Sequence, residues 1–214
     1  MDAPLPLRER HKARRREAIL AAARELLHER PAAQVTVERI AARAEVAPAT
    51  VYNLVGKRPA LWAALSDAFM DELERRLGAM GETDPLERAR RIVALTCDLF
   101  VEEPVVSRAL LRGWDESGLV LRRGPHADLL AAFEAAQSAG VLGAEVEPRL
   151  LASNVATACI GALHQWAAGQ ISGEKFRARA LTALDVALAA AASEEHRAGL
   201  VARLGRRPAE DVAA

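Results

Sequence analysis

With 214 residues, the chain is long enough for one or two domains with a core of normal size. Its composition, with 51% hydrophobic and 27% charged residues, is typical of ordinary globular proteins. No apolar run reaches the roughly 20 residues that a membrane span needs, and the first residues lack the apolar core of a secretory signal, so we expect neither.

Charge is distributed unevenly along the chain, although the formal net charge is zero. Residues 1–61 hold 12 Lys and Arg against 7 Asp and Glu, a net charge of +5, whereas residues 62–214 hold 17 against 22, a net charge of −5. This asymmetry is a modest indication of nucleic-acid contact, and a solvated surface would also explain it. The two cysteines, Cys97 and Cys159, are far apart and lack metal-type spacing, which favours a reducing cytoplasm as the location.

The amino-terminal third predicts three helices and the start of a fourth. Apolar residues recur with helical spacing, Pro31 closes the first helix, and Thr36 fits the N-cap of the second. The predicted bounds are 14–29, 37–44 and 48–55, with a fourth, long helix opening at Lys57-Arg58-Pro59.

The remainder of the chain also predicts helices separated by turn signals, with no strand alternation. Asp84-Pro85-Leu86-Glu87 is a strong helix start because Asp caps, Pro suits the first turn and Glu reaches back. A loop-rich stretch is expected from Gly113 to Pro125. Because Ala and Leu dominate and β-branched runs are almost absent, the sequence predicts an all-α fold. The later helices are expected from Pro85 onward and over 104–114, 126–139, 148–169 and 174–192.

The two short helices over 37–55 must be pinned together, because an isolated helix below about 12 residues is marginal in water. We expect one small core to join them, made of Ile40, Ala41, Ala44, Val46, Val51 and Leu54. Such a helix-turn-helix holds its second helix outward, so that the amino-terminal end can enter a major groove of DNA.

The outer face of the second short helix fits DNA contact. Its short side chains let the backbone approach base edges, and no acid stands between Pro48 and Pro59. A tyrosine hydroxyl and two cations would lie near the DNA backbone. The basic run of residues 11–16 is either a mobile arm or the exposed first turn of helix one. The predicted DNA-binding residues are Thr36, Pro48, Ala49, Thr50, Tyr52, Asn53, Lys57 and Arg58.

This segment resembles the TetR-type, or tetracycline repressor-like, transcriptional regulators. Three positions depart from the family's pattern: Glu45 replaces a Gly, Leu54-Val55 replaces His-Phe, and Arg58 replaces a Lys. A Glu where the turn favours positive φ would cost about 1 kcal/mol, so either the turn is rebuilt or the cost is tolerated. The positions that match are Thr36, Val37, Ile40, Ala41, Ala44, Val46, Thr50, Val51, Tyr52, Gly56 and Leu61.

The resemblance implies a dimeric repressor that a small apolar or amphipathic effector releases from double-stranded operator DNA. The effector would press on the helix that starts at Pro59 and change the spacing of the two DNA-reading helices of the dimer. The implied organisation is a flexible basic arm over 1–12, a helix-turn-helix domain over 13–61, a helical effector-binding and dimerisation domain over 62–204, and a flexible tail over 205–214.

The residues expected to act in the second domain come from helix faces. Candidate effector-pocket residues are Phe69, Cys97, Phe100, Trp114, Phe133, Cys159 and His164, and packing in the core is the alternative for each of them. In an intermolecular four-helix bundle made by the last two helices, the expected dimer residues are Leu151, Val155, Ala158, Ala162, Phe176, Ala180, Leu184 and Ala187. An internal pair of core helices is the alternative.

Other classes of protein fit the sequence less well. The chain has no Gly-rich phosphate loop, no nucleophile elbow and no metal-ligand cluster, so we expect neither an enzyme nor a cofactor or metal. A helical ligand-binding module without DNA contact would leave the acid-free face and the charge asymmetry unexplained. A transcriptional activator of the same fold stays open, because the sequence indicates a DNA reader but not the sign of its effect.

Overall fold

A computed structural model of the chain describes residues 6–81, 84–117 and 125–205. Apart from an isolated bridge between Leu142 and Ala192, these residues form helices and no strand, which confirms the predicted all-α fold. One 3-10 turn, Ala32–Gln34, precedes α2. The ten α-helices of these ranges are α1 Leu7–Glu29, α2 Val37–Arg43, α3 Pro48–Leu54, α4 Arg58–Gly78, α5 Pro85–Glu102, α6 Pro104–Ser117, α7 His126–Ser138, α8 Pro148–Ala167, α9 Gly173–Ala191 and α10 Glu194–Leu204.

The capping residues read from the sequence start the helices as predicted. The Thr36 hydroxyl accepts a hydrogen bond from the Arg39 amide at 3.4 Å, at the start of α2. The Asp84 carboxylate accepts from the amides of Leu86 at 3.0 Å and Glu87 at 3.1 Å, at the start of α5. Each bond satisfies an amide that has no partner within the first helical turn.

Helix α1 begins at Leu7, so the expected flexible arm over residues 1–12 is wrong for residues 7–12. Residues 1–5 lie outside the described ranges. The alternative reading of the basic run, as exposed turns of the first helix, is the one that the structure shows. Arg, Glu, Lys and Ala are good helix formers, and the helix continues without interruption into its buried part, which begins at Ile19.

Two further helical segments were not predicted. Helix α6 continues through Ser117, so the loop expected from Gly113 is wrong for residues 113–117, and residues 118–124 lie outside the described part. Leu200 is the one buried residue of helix α10, so the sequence of this helix has no apolar stripe from which it could be predicted.

The helices divide into two compact units. The first takes α1, α2, α3, α4 through Asp71, and α6. This division differs from the expected boundary at residue 61, because Trp62 and Leu65 of α4 and Val106 and Leu110 of α6 are buried in the same core as α1. The assignment of separate functional domains to the two parts stays a prediction.

The second unit takes α4 from Glu72, α5, and α7 to α10. Helix α5 packs against α7 and α9, and α8 packs against α7 and α9. Trp166 of α8 stacks on Phe176 of α9 with ring centroids 5.7 Å apart. Buried Asp185 is paired with Arg90 of α5 through a 2.8 Å hydrogen bond from Nε. None of the helices in the described ranges is long and apolar enough to cross a bilayer.

Candidate nucleic-acid interface

Helices α2 and α3 are pinned to α1 by one buried core. Ile40 and Val51 are fully buried, and Ala44, Val46 and Leu54 are half-buried against the same core. Ala41 is also buried, so the six residues expected to share a core do so. Complete burial of a side chain such as Ile or Val stabilises by about 1.5–3 kcal/mol. Packing therefore stabilises two helices of seven residues each, which intrinsic helix propensity alone does not stabilise in water.

The turn between α2 and α3 keeps a positive φ in spite of its glutamate. Glu45 has φ 54°, in the left-handed region. Its amide donates to the Ala42 carbonyl at 3.3 Å, and the Val46 amide donates to the Ala41 carbonyl at 2.9 Å. This pair of bonds is the Schellman arrangement that closes a helix, and the following apolar residue packs back on it. Of the two alternatives raised by Glu45, the turn is not rebuilt and the strain is tolerated.

The outward face of α3 is accessible and free of acids. Pro48, Ala49, Tyr52 and Asn53 are exposed, and Thr50 is half-buried. Pro48 occupies the first helical position. A proline fits there because an amide at this position has no hydrogen-bond partner within the helix. The helix ends before Gly56, which has a φ of 109°. A Cβ added at this residue would lie 2.9 Å from the Cβ of Ala60, so only glycine fits there.

Four of the predicted DNA-binding residues line one groove. A cavity of about 360 Å³ on the surface of the first unit is bordered by Thr36, Tyr52, Lys57 and Arg58. Tyr52 is 45% exposed, and Lys57 is exposed. The groove offers two hydroxyls and an ammonium, which are the donors that proteins commonly direct at DNA phosphates. Glu38 is the one acid in its lining.

Arg58 is used within the protein. Its guanidinium donates to the carbonyls of Val35 at 2.9 Å and Ala32 at 2.8 Å, and it lies 4.9 Å above the ring centre of Trp62. We call these two hydrogen bonds the Arg58 bridge; they tie the first turn of α4 to the segment that precedes α2. Of the two cations at this step, Lys57 is therefore the one whose charge is left exposed on the surface, and no local sequence pattern indicates the bridge.

A second set of polar contacts joins α2 to α1. The Arg43 guanidinium donates to Glu25 at 3.0 Å and to Glu29 at 2.8 Å. The hydrogen bond from Arg43 holds the pKa of Glu29 below its usual value, and desolvation opposes that effect. These groups are exposed, so the pairs contribute to orientation more than to stability.

Comparisons with known proteins agree with this geometry. Residues 19–54 match the family model described as Bacterial regulatory proteins, tetR family. This segment spans the buried part of α1, the whole of α2 and the whole of α3. The resemblance stated from the sequence is therefore confirmed: residues 19–54 of the chain are similar to this family.

Solved structures show that the similarity of fold extends beyond that segment. SmeT, the repressor of the Stenotrophomonas maltophilia multidrug efflux pump SmeDEF, is 24% identical, with 84% of this chain and 91% of that chain covered and a TM-score of 0.62. A TetR transcriptional regulator from Rhodococcus sp. RHA1 is 20% identical, with coverage of 84% and 97% and a TM-score of 0.59. NalD of Pseudomonas aeruginosa, the secondary repressor of the MexAB-OprM multidrug efflux pump, is 17% identical, with coverage of 85% and 99% and a TM-score of 0.60. At these identities the similarity shows the fold. No curated protein matches the sequence.

The candidate effector-pocket residues are divided between the two compact units. Phe69 belongs to the first unit, and the side chain of Trp114 lies outside the described part. His164 is exposed on α8, and its place in an effector pocket stays a prediction. Cys159 is half-buried, and burial raises the pKa of its thiol to about 11. Within the second unit, the buried candidates are Cys97, Phe100 and Phe133.

Most of the expected dimer residues lie in the core of the second unit. Their burial within one chain supports the alternative of an internal helix pair for these residues, and the interface between two copies stays a prediction. Ala158 is exposed and Ala187 is half-buried, so these two keep an outward position. The buried residues are Leu151, Val155, Ala162, Phe176, Ala180 and Leu184.

Proposed function

We propose that this protein is a sequence-specific DNA-binding transcriptional regulator, acting as a dimeric repressor that a small-molecule effector releases from its operator. The observation that carries the proposal is the exposed, acid-free face of α3, held outward by a fully buried core around Ile40 and Val51. A helix exposed along one side for packing reasons alone has no need to exclude acids from that side. The repressor function of the structurally similar SmeT and NalD agrees with the proposal.

The proposed contacts divide into two kinds. The amino-terminal end of α3 enters the major groove, where Thr50 and Asn53 offer hydrogen bonds and Ala49 offers apolar contact to a thymine methyl. Tyr52 and Lys57, with the Thr36 hydroxyl, bind phosphates and fix the register of the helix on the duplex. Base contacts determine which sequence is bound, and phosphate contacts determine most of the affinity and its dependence on salt.

Dimerisation through α8 and α9 is part of the proposal, with different residues from those expected at first. Leu150 is 61% exposed on α8 and Val186 is 52% exposed on α9. A Cβ added at Gly161 of α8 would meet no atom within 4 Å, so the surface at that residue is open. Two such faces from two copies could build a four-helix bundle, and a two-fold dimer places two copies of α3 about one helical turn of DNA apart.

Release by an effector requires a ligand that binds one state of the protein better than the other. Helix α4 is continuous from Arg58 to Gly78, and its residues belong to both compact units. An apolar or amphipathic molecule bound in the second unit would act on the later turns of α4, and the Arg58 bridge would carry the change to the segment before α2. Catalytic turnover has no part in this function.

Selection of bound sequences from random duplex DNA tests the proposal directly. The expected result is an inverted repeat whose half-sites are about one helical turn, or a multiple of it, apart. Fluorescence anisotropy with the selected duplex then measures affinity with and without candidate effectors, and a reporter gene distinguishes repression from activation. Recovery of no enriched sequence, with a folded protein, would identify the chain as a helical module that does not bind DNA specifically.

A further inference from the structure

The first three turns of α1, residues 7–18, contain no buried side chain. Burial begins only at Ile19, after which α1 contributes to the core of the first unit. We call residues 7–18 the α1 extension. It holds six Lys and Arg against two Glu. Burial of apolar side chains does not explain why this segment is helical, because it is exposed on all sides. Its positive charge therefore suggests a function.

The positive charges of the α1 extension destabilise the helix in which they lie. Arg8 and Lys12 stand four residues apart, and so do Arg10 and Arg14, a spacing at which like charges repel on a helix. Cations near an amino-terminal end also oppose the helix dipole. A polyanion bound alongside would relieve both effects, so the segment is better suited to a complex than to the free protein.

One face of the α1 extension borders the DNA-reading helix. A groove of about 630 Å³ is lined on one side by Arg8, Glu9, His11, Lys12 and Arg15, and on the other by Thr50, Asn53 and Leu54 of α3. Three cations and one acid therefore face two of the side chains assigned to base contacts. This arrangement is complementary in charge to a single anionic strand.

We infer that this groove holds the sugar-phosphate backbone of the same duplex whose bases α3 reads, so that the groove-lining face of the α1 extension is a second DNA-contacting surface. The inference rests on the proposed function and adds a surface to it. Lys12 and Arg15 bind phosphates on the flank of the major groove that α3 occupies. Because phosphates are the same in every sequence, these contacts strengthen binding without changing the preferred sequence.

A pair of matched double variants tests the inference. Lys12→Ala with Arg15→Ala removes two charges from the groove, and Arg10→Ala with Arg14→Ala removes two charges from residues of the same extension that do not line it. All four side chains are exposed, and Ala is the best helix former, so both variants should fold and keep α1 helical by circular dichroism. Affinity for the selected operator is then measured as a function of salt concentration.

The proposed dimer carries the groove twice, so the groove variant removes four phosphate contacts per operator. It should lower the slope of log affinity against log salt by about 3.6, because each lost contact removes about 0.9. At 0.1 M salt this corresponds to binding that is about 4,000-fold weaker, with the same preferred sequence. The control variant should keep the wild-type slope. Amides of residues 7–18 should also exchange more slowly with solvent once operator is bound.

The outcomes separate the two ideas. If the wild-type protein binds its operator and the two variants lose affinity and slope alike, the charge acts diffusely and the inferred groove contact is wrong. If the wild-type protein shows no sequence-selective binding, the proposed function itself fails.

Discussion

The strained turn before α3 leads to a prediction about Glu45. Its φ of 54° places an L-residue in the left-handed region, which costs about 1–2 kcal/mol relative to the right-handed one. Glycine avoids that cost, but it loses about 0.5–1 kcal/mol more backbone entropy on folding. The difference predicts that Glu45→Gly raises the free energy of unfolding by about 0.5–1 kcal/mol. For a chain of this length, that corresponds to a midpoint about 1–4 °C higher.

Glu45→Ala is the matched control, because it removes the same carboxylate and keeps an L-residue at positive φ. Urea unfolding followed by circular dichroism, at one protein concentration, compares the three proteins. The Gly variant should be the most stable, and any gain in DNA affinity from the lost negative charge should be the same in both variants. If the Gly variant is no more stable than the Ala variant, the strain assigned to this turn is not there.

Three further predictions concern other parts of the chain. Arg58→Lys should lower the free energy of unfolding by about 1–3 kcal/mol in urea unfolding, because an ammonium cannot bridge two carbonyls as a guanidinium does; an unchanged value would contradict the structural role of the bridge. Gly161→Trp should give a folded monomer by analytical ultracentrifugation, whereas Gly199→Trp, at an equally open glycine of α10, should stay dimeric; equal behaviour would argue against α8 as the interface. Hydrogen bonds from Arg75 and then Arg76 hold the pKa of Glu72 at about 2, below its usual 4.5, so its contribution to stability is present above pH 4.5 and is lost as the pH falls toward 2. Glu72→Gln should flatten the pH dependence of the unfolding free energy in that window, and an unchanged curve would show that the pairing does not stabilise the fold.

The parts of the fold that the sequence predicted are those with strong local signals. Apolar spacing, a capping Thr36 and a proline at the first helical position were enough to place α2 and α3 and the core between them. Residues 7–12 of α1 were expected to be a flexible arm, and α10 was not predicted. Helical periodicity in a sequence records burial, and these segments bury little or nothing. Long-range features had no local signature at all. Arg58 donates hydrogen bonds to the carbonyls of Val35 and Ala32, which lie 23 and 26 residues earlier in the chain.

The dimer prediction shows a different limit. An apolar stripe reveals that a helix face is covered, but not whether the cover comes from the same chain or from a second copy. Val155 and Leu184 carry the strongest stripe positions of α8 and α9, and both are completely buried within one chain or nearly so. On α8, the surface left for a partner includes Gly161 and Ala158, and Ala158 was among the expected dimer residues.

The orientation of α3 depends on contacts outside the helix itself. It has seven residues, and Ala47 at its N-cap offers no side chain to cap it. What holds it is the core around Val51, the closed turn at Glu45, and the Arg58 bridge to the segment before α2. The first two are fixed by packing and by the backbone, whereas the bridge belongs to α4, whose residues extend into the second unit. Hydrogen bonds to a charged group contribute about 1.5–3 kcal/mol. This is the size of a typical coupling between two binding sites, which changes affinity by about 5–150-fold. Under the proposed function, a ligand that breaks only this bridge is therefore sufficient to release the protein from DNA with the core intact.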